Sequence, residues 1–154
     1  MAGYRRHSHA RTRDPLGKPW VLAMVGLSAA LGHLEFACAL RLAWDGMLRL
    51  PSDLVSMTAK TLIGPGRGVP VWALLLYPSS QESRSKTMGF DEGVVLQQPA
   101  WRGGAGRALL AIRAARQPGS RLWSFDAPGF NRRFEALLAA MPESPTAIPY
   151  QVRH

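Results

Sequence analysis

Val71-Trp72-Ala73-Leu74-Leu75-Leu76-Tyr77 is an unbroken apolar run with Pro70 before it and Pro78 after it. It is too short for most helices and reads as a buried strand. Gly93-Val94-Val95-Leu96 reads as a second strand, and the polar, Ser-rich segment from Pro78 to Lys86 lies between the two. Together they predict a β-hairpin with a long, charged tip.

Both flanks of the hairpin read as helical. Upstream, Trp20, Met24, Leu27 and Leu31 recur at helical spacing and Gly32 closes that helix. A second helix is expected from about Leu34 to Leu48, with Phe36, Leu40, Ala43, Trp44 and Met47 as its buried stripe. Pro51 interrupts the pattern. Ser52 reads as the N-cap of a short helix, with Asp53 favourable at its positive end and Leu54, Val55 and Met57 inward. Ile63 to Pro70 reads as a turn region around Gly-Pro-Gly-Arg-Gly.

Downstream, Pro99 to Gly106 reads as loop. Arg107 to Arg116 reads as a helix with Leu109, Leu110 and Ile112 inward, and Leu122 to Phe125 as a short extended segment. Asp126 then caps a helix entered through Pro128, with Phe130, Phe134, Leu137, Leu138 and Met141 on one face. Pro142 stops it. The predicted class is mixed α+β, mainly α-helical, with a small antiparallel β-sheet. Residues 1–14 are expected to form a basic flexible segment and residues 15–154 one domain.

Composition narrows the function. Lys and Arg number 19 against 10 Asp and Glu, a formal charge of +9. That balance fits a polyanionic partner, nucleic acid or an acidic membrane surface. The excess is mostly Arg, whose planar fork matches phosphate. The uncharged stretch from Pro19 to Leu34 falls short of the ~20 residues of a membrane span, and no membrane partner is expected. The single cysteine, Cys38, excludes an intrachain disulfide and reads as a small buried residue. The four histidines, His7, His9, His33 and His154, have no Cys or Asp at ligand spacing, so no metal is expected. Gly103-Gly104-Ala105-Gly106 lacks the Lys-Ser/Thr ending of a phosphate loop.

Three basic positions stand out. Arg49 closely follows an apolar helix in Met47-Leu48-Arg49-Leu50-Pro51-Ser52-Asp53-Leu54. Lys86 sits in Ser85-Lys86-Thr87-Met88-Gly89, at the end of the hairpin tip beside Arg84. Arg153 sits in Tyr150-Gln151-Val152-Arg153-His154. In this order and context the chain resembles the tyrosine recombinases, also called phage integrases, and in particular their divergent relatives among eukaryotic mobile elements. The resemblance covers about Leu16 to His154. It rests on an Arg closely followed by an acid and a Leu, then a hairpin Lys, then a His-x-x-Arg element usually followed by His.

The resemblance implies that Arg49, Lys86, Tyr150 and Arg153 fill catalytic positions, that Asp53 supports Arg49, and that Arg49, Arg84, Lys86 and Arg153 contact DNA. In the family a tyrosine attacks a phosphodiester and forms a covalent link. Two arginines hold the phosphate oxygens, a hairpin lysine serves as general acid, and no cofactor is required. DNA is the implied partner, with self-association on it in a full-length protein and a nuclear location in a eukaryote. Departures are specific. Three residues rather than two separate Arg49 from Asp53, and Tyr150 stands where the family has His. The family nucleophile lies beyond the second Arg, whereas Tyr4, Tyr77 and Tyr150 all precede Arg153. The expectation is a truncated core that does not cut DNA alone. The alternative is a basic nucleic-acid-binding or partner-binding module without catalysis.

Overall fold

The structure is a computed structural model that describes residues 16–49, 53–66, 70–76 and 92–142. The first helix, α1, runs from Lys18 to Ala30 with Pro19 in its first turn, where a missing N–H costs nothing. It ends in a Schellman motif. Gly32, at φ 79°, donates to the Ala29 carbonyl at 3.0 Å, and His33 donates to that of Ser28 at 2.9 Å. Val21, Met24 and Ser28 form the buried stripe. Trp20 and Leu27 are only partly buried, and Leu31 is exposed because it already belongs to the cap.

The second helix, α2, spans Leu34–Asp45 and is buried on nearly every side, from Phe36 to Leu40 and from Leu42 to Trp44. It stops three residues short of the expected Leu48. Gly46 caps it and Met47 takes the left-handed conformation at φ 50°. Met47 donates to the Trp44 carbonyl at 3.3 Å and Leu48 to that of Ala43 at 3.0 Å, so the motif that closes α1 recurs. This cap turns Met47 outward, 59% exposed, and sends Leu48 back into the core. Placing Met47 on the buried stripe was therefore wrong.

The sheet has three antiparallel strands in the order β1 (Leu62–Ile63), β2 (Trp72–Leu76) and β3 (Glu92–Leu96). Leu74 of the central strand lies opposite Leu62 on one side and Val94 on the other. Trp72, Leu74 and Leu76 alternate inward, and Leu62 and Leu96 join them on the core face. The expected hairpin is thus present as β2 and β3. The strand β1 was not expected, and its second residue, Ile63, falls at the start of the expected turn region, because two residues are too few to carry an alternation.

A 3₁₀ turn over Pro99–Arg102 leads into α3, Gly104–Ala114, where loop was expected as far as Gly106. Leu109 and Ile112 face inward, but Leu110 is 51% exposed, a correction to the expected inward set. Residues 122–124, expected to begin a short extended segment, form bends, preceded by an isolated bridge between Thr58 and Arg121. The last helix, α4, spans Ala127–Ala139, and Asp126 caps it by accepting from the Gly129 N–H at 2.8 Å. Helix α1 packs mainly on α2 and also touches α4, while α2 also contacts α3. An aromatic cluster locks this arrangement. The Phe36 ring lies edge-on to Phe125 at 6.0 Å and to Phe130 at 5.0 Å, and Phe130 stacks with Phe134 at 6.4 Å.

Candidate nucleic-acid interface

Of the expected site residues, Arg49 and Asp53 fall within the described residues. Arg84, Lys86, Tyr150 and Arg153 lie outside them, as do Ser52 and the basic segment 1–14. Arg49 is exposed, directly after the buried Leu48. Its backbone is held on both sides by one turn. The Arg49 N–H donates to the Asp53 carboxylate at 2.8 Å, and the Arg49 carbonyl accepts from the N–H groups of Asp53 and Leu54 at 3.0 and 3.2 Å.

Asp53 is 7% exposed, so the bond from a backbone donor meets part of the cost of burying its charge. Residues 53–56 form turns rather than the expected short helix. Across the three-residue spacing, Asp53 links back to the Arg49 backbone through its carboxylate and its N–H. The turn is itself anchored: Trp123 donates its indole N–H to the Leu54 carbonyl at 2.8 Å, and Leu122 donates to the Met57 carbonyl at 2.8 Å.

That anchor leads to a second basic feature. A cleft of about 520 Å³ is lined by Arg121, Trp123, Ser124, Phe125, Asp126, Gly129, Arg132 and Arg133. Its aromatic wall is rigid: Trp123 and Phe125 stack at 5.9 Å, nearly parallel, and both are buried. Ser124 is fixed from the other side. Its N–H and hydroxyl donate to Glu35 at 2.9 and 2.6 Å, and Glu35 is also ion-paired to Arg116. The Arg133 guanidinium lies over the Phe125 ring, 5.6 Å from its centre. Arg121, Arg132 and Arg133 are all exposed.

This cleft is not visible as a unit in the sequence. Arg121, Arg132 and Arg133 are scattered along the sequence, and only folding of 121–126 against α4 gathers them. The available signal was an Arg-Arg pair one turn into a capped helix.

Arg41 is committed to the fold by its ion pair with Asp45 at 2.5 Å, and Asp45 also accepts from the Trp101 indole at 2.8 Å. A second recess, about 590 Å³, is bounded by Trp72, Trp101, Gly103 and Gly106 with Arg102 and Arg107 at its edge. Cys38 is buried beside Glu35, and burial first, with the Glu35 charge second, raises its thiol from 9.0 to about 11. Among the described residues no group of His, Cys, Asp and Glu is arranged to hold a metal. Among them, too, no helix is long and apolar enough to cross a membrane.

Comparison with known proteins adds no relative: no protein-family model, no curated protein and no solved structure matches the chain.

Proposed function

We propose that this chain is the DNA-binding part of a catalytic core of the tyrosine recombinase type, the class that integrates and recombines DNA through a phosphotyrosine link. The observation that carries the reading is the Arg49–Asp53 turn. It fixes the backbone of an exposed arginine at the end of a buried helix, ahead of a paired antiparallel hairpin. The segment joining β2 to β3 is the one that holds Arg84 and Lys86 in the sequence.

In this reading Arg49 and Arg153 clamp the oxygens of one phosphate, where fixed guanidinium donors stabilise gathering negative charge. Lys86 is the general acid for the departing oxygen, and Tyr150 donates a hydrogen bond at the position the family gives to His. Tyr4, Tyr77 and Tyr150 all precede Arg153, and none of them is assigned as the nucleophile.

The test is a double-mutant cycle on duplex DNA binding with Arg49→Gln and Arg153→Gln. Two arginines on one phosphate give losses that fail to add, with a coupling of roughly 0.5–3 kcal/mol. Additive losses mean separate phosphates and defeat the shared clamp. A covalent adduct on a nicked suicide substrate contradicts the expected lack of cleavage.

A further inference from the structure

We infer that the cleft at the start of α4 is a second contact site for the phosphodiester backbone of DNA, separate from the Arg49 position. The inference rests on the reading of the chain as DNA-binding and adds a contact that the recombinase-like motifs do not contain.

Three observations support it. First, Arg121, Arg132 and Arg133 converge on one recess, and no ion pair to a carboxylate engages any of them among the described residues. Arg41 and Arg116 are by contrast tied to Asp45 and Glu35. Second, the one carboxylate in the recess, Asp126, is committed to capping Gly129. The cleft therefore carries a net positive charge, three cations against one anion. Third, the site is built on a fixed floor. Trp123 is bonded to Leu54, Ser124 to Glu35, and Phe125 is stacked on Trp123 beneath Arg133. The Arg133 guanidinium, held over the Phe125 ring, loses little further freedom when it binds phosphate.

The two basic features also share a support. The Arg49 carbonyl accepts from the Leu54 N–H, and the Leu54 carbonyl accepts from Trp123 in the cleft wall. Two hydrogen bonds thus join the backbone at Arg49 to the cleft wall. The overall charge of +9 favours an extended polyanion over a small one.

The test is fluorescence anisotropy of a labelled duplex of arbitrary sequence, titrated with salt. The parent is compared with Arg132→Gln/Arg133→Gln, Asp126→Asn and Arg49→Gln, each first checked for an unchanged thermal melt. The paired arginine variant is expected to bind on the order of tenfold more weakly at 0.1 M salt, with a salt slope lower by about two. Asp126→Asn keeps the cap and removes the negative charge, so it binds more tightly. If the arginine variant matches the parent while Arg49→Gln weakens, the cleft inference is overturned and the functional reading survives. If the arginine variant weakens and Arg49→Gln does not, the cleft stands and the recombinase reading falls. No binding by the parent defeats both. Displacement of the duplex by millimolar inorganic phosphate at constant ionic strength marks a small-anion site and overturns the inference.

Discussion

Replacing Gly106 by alanine is expected to destabilise the protein by about 2–4 kcal/mol, although alanine is the better helix former. Gly106 is buried in the first turns of α3, against the 3₁₀ turn that precedes it. A methyl group there overlaps the Trp101 carbonyl oxygen and comes within 2.9 Å of its carbonyl carbon and 3.0 Å of the Trp72 indole nitrogen. The overlap with the carbonyl oxygen is the deciding one, and relieving it moves the turn by about 1 Å or more. Trp101 resists: it is 1% exposed, and its indole N–H donates to Asp45 at 2.8 Å. Forcing them apart costs about 1–3 kcal/mol in packing and strains a bond to a charged acceptor worth about 1.5–3 kcal/mol. Helix propensity returns about 1 kcal/mol. At roughly 2–4 °C per kcal/mol, the melting midpoint drops by about 10 °C. The control is Gly104→Ala, where no atom lies within 4 Å of the new methyl. It is expected to be neutral or up to about 1 kcal/mol stabilising. Thermal melts followed by circular dichroism, with urea midpoints, measure both. Gly106→Ala melting with the parent would refute the packing of the 3₁₀ turn on α3.

Three smaller predictions follow from single residues. Met47 is exposed at φ 50°, so Met47→Gly removes left-handed strain and raises stability by about 0.5–1 kcal/mol, seen as a higher urea midpoint. The Thr58 hydroxyl is buried without a hydrogen-bond partner among the described residues, so Thr58→Val is expected to gain about 1 kcal/mol in the same assay. The Cys38 thiol is raised from 9.0 to about 11 in the folded chain. The unfolded chain then loses this proton first as pH rises. Stability is intact below pH 9 and falls towards pH 11, by roughly 2–3 kcal/mol in all. Cys38→Ala should remove that part of the pH dependence, and an identical slope in both proteins excludes it.

Periodicity and turn chemistry made the strong elements readable. The Val71–Tyr77 run, the Asp126 cap and the closing role of Gly32 each act through a local rule, and β2, α4 and the end of α1 follow them. The misses arise where folding overrides the local pattern. Met47 reads as apolar and helical, but the left-handed cap turns it outward. Strand β1 exists only because β2 is beside it to supply hydrogen bonds. The turn at Asp53 replaces a helix because the carboxylate bonds back to Arg49, an alternative that sequence spacing does not reveal. At the candidate site, the sequence marks Arg49 and Asp53, and the structure joins them through the Arg49 backbone N–H. The arginine cleft was not legible, since its residues meet only when segment 121–126 folds onto α4.

The role of Arg49, Lys86 and Arg153 as phosphate contacts is decided by the salt dependence of DNA binding. Binding of the parent chain to a duplex is measured between 0.05 and about 0.3 M salt, beside a chain with Arg49, Lys86 and Arg153 all changed to Gln. Log affinity of the parent is expected to fall steeply and linearly with log salt, and the slope of the variant to be shallower by roughly two to three, as phosphate contacts are lost. A parent that does not bind even at the lowest salt, or a variant with the parent's affinity and slope, overturns the phosphate-clamp reading.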